Sequence, residues 1–289
     1  MFSHAHTWKF CSRTIDCSKP VIMGIVNVTP DSFSDGGRFF KTDDAIGLGL
    51  LLAKEGADIL DIGGESTRPG SDPVTIDEER ARVIPVIDGL KEAGIEIPIS
   101  IDTRRLEVAE EAVKAGAEIV NDVSALRDSP DLAKFCAKKN LGLVLMHMLG
   151  MPKTMQEAPH YHDVIREVGS FLRQRLRFAM EAGIEEERIV LDPGIGFGKL
   201  LEHNLRILRD CHEFLSLGRP ILIGPSRKRF IGELLDTKEN ERVAGTIGAC
   251  AAAYMSGARI FRVHDVLPVR QALDVLHAVC NLKETRATK

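Results

Sequence analysis

Met23-Gly-Ile-Val-Asn-Val-Thr-Pro-Asp-Ser-Phe-Ser-Asp-Gly-Gly37 is the stretch from which the rest of the chain can be read. It opens as a buried strand. Val21, Ile22, Met23, Ile25 and Val26 form a near-continuous apolar run, the pattern of a strand covered on both faces. At Asn27 the chemistry changes. Asn27, Thr29, Asp31, Ser32, Ser34 and Asp35 crowd a segment punctuated by Pro30, Gly36 and Gly37, which reads as a mobile loop. Polar side chains at the carboxyl end of a parallel strand are where an α/β barrel keeps its active site. A solvated β-to-α turn is the plainer reading, although ordinary turns are much shorter.

Working outward, the same unit recurs. A helix over 43–55, capped by Thr42 and stopped by Gly56, follows the loop. Further strands are predicted over 59–62, 97–101, 119–120, 142–146, 189–191, 220–223 and 259–263. Helices are predicted over 77–92, 106–115, 130–139, 163–182, 204–215, 239–255 and 266–281, with Ser129 capping the helix that starts at Pro130. Strand and helix thus alternate eight times, which argues for a parallel sheet with helical crossovers. The 289 residues suit one (β/α)8 barrel of typically ~250 residues, so the fold class is α/β, a single TIM barrel spanning 1–289. A short strand or hairpin over 10–17 is expected at the barrel bottom. An open doubly wound sheet is the alternative.

Composition excludes several classes. A net charge of −4 gives no electrostatic footprint for nucleic acid or an anionic membrane. The six cysteines are scattered without a C-x-x-C pair, which points to free thiols in a reducing compartment. The weakly polar run over 243–258 is shorter than the ~20 residues of a membrane span and rich in Gly and Ala. With no apolar leader at the N-terminus, the expected location is the cytoplasm.

Nearly every strand ends in a polar or charged group: Asn27, Asp61, Asp102, Asn121, His147, Asp192, Lys228, Arg262 and His264. In a barrel these converge on one mouth. Two chemistries separate. Asp61, Asp102, Asn121, Asp192 and Lys228 suit a flat, nitrogen-rich heterocycle, because a carboxylate accepts two parallel N–H bonds from an amidine-like edge. Asn27, Arg262 and His264 look like an anion site, with Ser226-Arg-Lys-Arg229 adding positive charge and backbone N–H groups. Plainer readings stand beside these. Asp122 and Asp265 are equally readable as turn formers or caps, Lys228 as a solvated lysine, and His147 as a core histidine with a satisfied hydrogen bond. Gly194, Gly196 and Gly198 fit neither the P-loop nor the dinucleotide fingerprint.

Taken together, these motifs resemble the dihydropteroate synthases of the folate pathway. The loop starting at Met23 and Asp61-Ile-Gly-Gly-Glu-Ser-Thr-Arg-Pro-Gly70 look like the two signature loops of that family. Ser100-Ile-Asp-Thr103, Asn121-Asp-Val123, Met146-His-Met148, Leu191-Asp-Pro-Gly-Ile-Gly-Phe-Gly-Lys199, Ser226-Arg-Lys228 and Arg262-Val-His-Asp-Val266 follow in matching order. Departures around these motifs, at Leu149, Met151, Pro225 and Arg229, remove no functional side chain.

The resemblance implies a reaction in which 6-hydroxymethyl-7,8-dihydropterin diphosphate and para-aminobenzoate give 7,8-dihydropteroate and diphosphate, with Mg2+. It implies that Asp102, Asn121, Asp192, Lys228 and Arg262 bind the pterin. Asn27, Arg262 and His264 would hold the diphosphate, Thr67 and Arg68 reaching it from the second loop, and Asn27 would meet the metal. Thr67, Arg68, Pro69, Phe197 and Ser226 would line the aminobenzoate site. Asp61, Lys228 and Arg262, with Phe33 and Asp35 of the first loop, form the implied catalytic set. The family also implies a homodimer near the last helices and competition by sulfonamides. A pterin-binding methyltransferase on a similar barrel, or a non-catalytic pterin-binding paralogue, are the alternatives.

Overall fold

The chain enters through an antiparallel hairpin, β1 (Thr7–Phe10) against β2 (Arg13–Asp16). The computed structural model of the chain describes residues 7–29, 38–66, 72–150 and 154–282. Eight parallel strands follow the hairpin. They are β3 (Val21–Asn27), β4 (Ile59–Gly63), β5 (Ile99–Asp102), β6 (Ile119–Asp122), β7 (Gly142–Met146), β8 (Ile189–Asp192), β9 (Leu222–Ile223) and β10 (Ile260–Val263). Their spatial order is β8-β7-β6-β5-β4-β3-β10-β9. A parallel bridge between Leu191 and Ile221 joins the two ends of that row, and Leu191 N–H donates to the Pro220 carbonyl at 3.1 Å. The sheet is therefore a barrel and not the open alternative.

Each strand is buried because helices cover it outside. These are α1 (Arg38–Lys54), α2 (Ile76–Glu92), α3 (Leu106–Ala115), α4 (Asp131–Lys139), α5 (Val164–Glu181), α6 (Leu201–Arg209), α7 (Arg229–Leu235), α8 (Val243–Met255) and α9 (Val266–Cys280). Local chemistry sets several ends. Thr75 and Glu78 form a capping box on α2. The side chain of Asp163 accepts from the Ile165 and Arg166 N–H groups at the start of α5. Gly116 ends α3 at φ 117°, a left-handed turn that a side chain would strain.

Five expectations need correction. α4 begins at Asp131 with Pro130 at its N-cap position and no side-chain cap bond, so Ser129 does not cap it. α1 begins at Arg38, so Thr42 lies inside the helix and does not cap it. The helix expected over 204–215 is α6, starting at Leu201, followed by a separate 3-10 stretch Cys211–Leu217. Arg206 and Arg209 both pair with Asp210 where α6 stops. The helix expected over 239–255 starts only at Val243, and α7 was not anticipated before it. α7 is a single short amphipathic segment burying Phe230 and Ile231, too brief for periodicity to stand out. The strand expected over 220–223 is reduced to Leu222–Ile223.

The hairpin plugs the bottom, as expected, starting at Thr7. Trp8 and Phe10 pack edge to face at 5.4 Å among Met23, Ile59, Ile119, Val144, Val190, Leu222 and Ile260. The Trp8 indole donates to the Arg188 carbonyl at 2.8 Å. Gly142 makes room, because a Cβ there would lie 3.1 Å from Phe10 and 3.2 Å from Trp8.

Candidate active site at the barrel mouth

Strand register places the acidic wall. Asn27 sits beside Gly63, Gly63 beside Asp102, and Asp102 beside Asn121, so one rung of the barrel carries three polar ends and a glycine. Asp61 lies two residues below Gly63 on the same strand face. A Cβ on Gly63 would pack against Asp102 at 3.5 Å and Asn27 at 3.6 Å. Arg262 reaches this wall from β10. Its Nε donates to Asp61 Oδ2 at 2.5 Å and its Nη2 to Asp102 Oδ2 at 2.8 Å. Asn121 Nδ2 also donates to Asp61 Oδ2, at 3.0 Å.

These residues surround a cavity of about 440 Å³ that Asn27, Asp102, Asn121, Asp192, Phe197, Ser226, Lys228, Arg262 and His264 all line. The site residues expected from the sequence are thus brought together, with one displacement. Asp61 is fully buried and set back behind Asn121 and Arg262 instead of facing the cavity. Phe33, Asp35, Thr67, Arg68 and Pro69 lie outside the described residues.

Burial sets the electrostatics. It pushes the Asp102 carboxyl up, with Arg262 opposing and Asp61, Glu79 and Asp122 adding to the rise. Burial also pushes Asp192 up to about 6, against a 2.7 Å hydrogen bond from the Gly194 N–H. Burial therefore favours the neutral form of both carboxyls, and N–H donors brought to them would favour the ionised form.

The opposite wall is built at the ends of β9 and β10. Ser226 Oγ accepts from the His264 backbone N–H at 3.1 Å and lies 3.0 Å from His264 Nδ1. With the hydroxyl hydrogen on Nδ1, the ring presents Nε2–H as donor. Burial, helped by Arg262 and Arg227, lowers His264 to about 3, so the imidazole is neutral. Arg227 has a left-handed backbone, φ 55°. Its guanidinium bonds both oxygens of Asp265, at 3.0 and 2.6 Å. Its N–H donates to Thr246 Oγ1 and its carbonyl accepts from Arg242. Those contacts hold a disfavoured conformation between two site residues. Lys228 turns inward, its ammonium 4.1 Å from the centre of the Phe197 ring.

The plainer readings divide. Asp122 is a turn former, its carboxylate accepting from the Ser124 and Leu126 N–H groups. Asp265 ties Arg227 in place. His147 is buried and hydrogen-bonded to Lys199. Lys228 is half-buried and lines the cavity, with its ammonium over the Phe197 ring.

Sequence reasoning missed three features. Val123, Met146, Met148 and Met155 pack with Phe197 as an apolar bed, and Val123, Met146 and Met155 line the cavity. Glu65 accepts from Arg104 and Arg105 at the stem of the second loop. Lys199 is buried and faces the cavity. The sulfur atoms flanking His147 were the available signal for the first. Nothing in the local sequence pairs Glu65 with Arg104 or Lys199 with His147.

Residues 23–264 match the family described as "Pterin binding enzyme". The chain is 45% identical over 273 residues to the dihydropteroate synthase of Escherichia coli K12, covering 94% of this chain and 96% of that protein. The chain belongs to the dihydropteroate synthase family. The structure of the Xanthomonas albilineans dihydropteroate synthase with 4-aminobenzoic acid superposes with a TM-score of 0.90 at 46% identity, over 96% of this chain and 100% of that one. The same enzyme in complex with 7,8-dihydropteroate superposes at 0.87 with 44% identity, over the same shares of the two chains.

Proposed function

We infer that the chain is a transferase that joins the methylene of 6-hydroxymethyl-7,8-dihydropterin diphosphate to the nitrogen of para-aminobenzoate, giving 7,8-dihydropteroate and diphosphate. The observation that carries this reading is a single cavity with Asp102, Asn121 and Asp192 on one wall and Ser226, Lys228 and His264 on the other.

The acidic wall suits the pterin edge. Asp102 and Asp192 accept its N–H groups, and a ligand without them leaves buried carboxylates unpaired. Asp61 acts as a positioning residue, fixing Asn121 and Arg262 from beneath. In the reaction the methylene C–O bond breaks and its electron pair leaves with the diphosphate. Arg262, the His264 N–H and Lys228 offset the charge that develops there. The aniline nitrogen then forms the C–N bond and releases a proton to water or to the departing anion. Aminobenzoate is already nucleophilic, so no strong base is required. Phe197 and Ser226 form the described part of its site, with Thr67, Arg68 and Pro69 proposed to complete it and Phe33 and Asp35 to cover it. A sulfonamide would compete for that half.

A Mg2+ ion fits the donor chemistry, because Asn27 offers a hard carbonyl oxygen at the cavity edge. Among the described residues no three His, Cys, Asp or Glu side chains form a metal cage, so such an ion would be held by Asn27 and diphosphate oxygens. Its contribution would be charge neutralisation on the leaving group.

The partners are small molecules, together with a second copy of the chain. Leu205, Leu234, Leu235 and Met255 line an exposed apolar groove between α6, α7 and α8. That groove supports the homodimer, which light scattering tests. The six free thiols support a cytoplasmic setting. No helix among the described residues is long and apolar enough to cross a membrane.

Diphosphate release is the decisive assay. Aminobenzoate-dependent release with Mg2+ is expected. A methyltransferase or a silent paralogue would show none.

A further inference from the structure

The loop between β8 and α6 carries Phe197 and contains three glycines with positive φ, Gly194, Gly196 and Gly198. A Cβ on Gly194 would collide with the His147 carbonyl, so this loop presses directly on the end of β7. Three successive carbonyls of the loop are gripped by side chains. Gln156 Nε2 donates to the Gly196 carbonyl at 2.6 Å, Lys199 Nζ to that of Phe197 at 3.0 Å, and Tyr161 Oη to that of Gly198 at 2.9 Å.

Lys199 is the unusual member. It is 3% exposed, and its hydrogen-bond partners, the Phe197 carbonyl and His147 Nδ1 at 3.0 Å, are both neutral. A buried ammonium on neutral acceptors is costly and persists only where something requires it. Burial lowers Lys199 to about 7, Asp192 pulling upward and Lys228 downward. Burial, then Lys199 and Arg127, lower His147 to about 2, so the ring is neutral, and because the Lys199 ammonium only donates, its bond requires the Nδ1 lone pair. The His147 ring cannot swing away, being set edge-on against Phe171 at 4.9 Å and tilted on Tyr161 at 6.1 Å.

We propose that Lys199, hung on His147, is the positioning residue that fixes the Phe197 ring under Lys228 and so sets the aminobenzoate half of the cavity. This rests on the synthase reading for its kinetic consequence but not for its geometry. The probe is protein labelled with 4-fluorophenylalanine, the Phe197 signal being assigned by Phe197→Leu.

In Lys199→Met the unliganded Phe197 fluorine signal should shift or broaden. The kcat/KM for aminobenzoate should fall roughly tenfold or more, as for loss of one charged hydrogen bond. Pterin affinity by calorimetry should stay within about twofold. Tyr161→Phe, which removes only a hydroxyl, should move the same signal less and carries the test if Lys199→Met does not fold. A Phe197 signal unmoved in the folded variants overturns the proposal. So does an equal loss of pterin affinity, which would make Lys199 a partner of Asp192 instead. If the wild type shows no aminobenzoate-dependent turnover, the synthase reading fails, while the fluorine signal still decides the pairing.

Discussion

At its lower end the barrel buries Trp8, Phe10, Met23, Ile59, Val144 and Leu222 together, whereas at its mouth it buries Asp61, Asn121, Asp192 and Lys199. The same strands supply both. The plug is held by apolar area removed from water and close packing, which favour the folded chain directly. The mouth contains charges removed from water, some offset by one another and some held only by neutral hydrogen-bond partners, and Asp61 Oδ1 still has no hydrogen-bond partner in the structure. Such an arrangement stabilises weakly, but Asp102 and Asp192, which line the cavity, are placed to accept from donors on a ligand. One end keeps the barrel closed, and that lets the other stay polar.

The largest expected effect separates the two ends. Trp8→Ala should remove about 3–5 kcal/mol of stability in urea denaturation. The surviving folded fraction should keep its kcat/KM. Loss of turnover beyond the unfolded fraction would show that the plug and the mouth are coupled. Asp102→Asn should do the reverse, weakening pterin binding by ~2–5 kcal/mol in calorimetry with a smaller change in melting temperature, since Arg262 keeps Asp61. Unchanged affinity would take Asp102 out of the ligand contact.

Acid should weaken ligand binding at the mouth. Folding raises Asp192 to about 6, so the folded state holds that proton longer than the unfolded chain. This carboxyl therefore favours folding below its ordinary value, and the contribution is lost as pH rises through about 6. A pterin edge prefers the ionised form, so affinity should be full above about pH 6 and fall by up to tenfold per unit below it. Calorimetry across that window checks the slope, and a flat profile would mean that Asp192 does not contact the pterin. The smallest effect is expected at Asp265→Ala, which frees Arg227 from its ion pair. It should lower kcat/KM by roughly tenfold, about 1–2 kcal/mol, with little change in melting temperature. Restoration by Asp265→Glu would distinguish positioning from general loosening.

Much of this molecule is written in local pattern. The apolar runs ending at Asn27, Asp61, Asp102, Asn121 and Asp192 fixed the barrel and its mouth, because a strand covered on both faces leaves few other places for polar groups. Gly116 at the end of α3 and Thr75 at the start of α2 act through neighbouring backbone, so their signals are also local. α7 escaped because seven residues, about two turns of helix, leave too little period to read.

What only the tertiary structure decided is which polar groups meet. Arg262 and Asp61 lie 201 residues apart in the chain and bond because β10, β3 and β4 are neighbours in register. Lys199 reaches His147 across 52 residues for the same kind of reason. Periodicity reports which face of an element is buried, whereas hydrogen-bond partners depend on register and ångström-scale distance. That is why the sequence named the residues of the mouth, and why the set-back position of Asp61 and the Lys199–His147 pair required the fold.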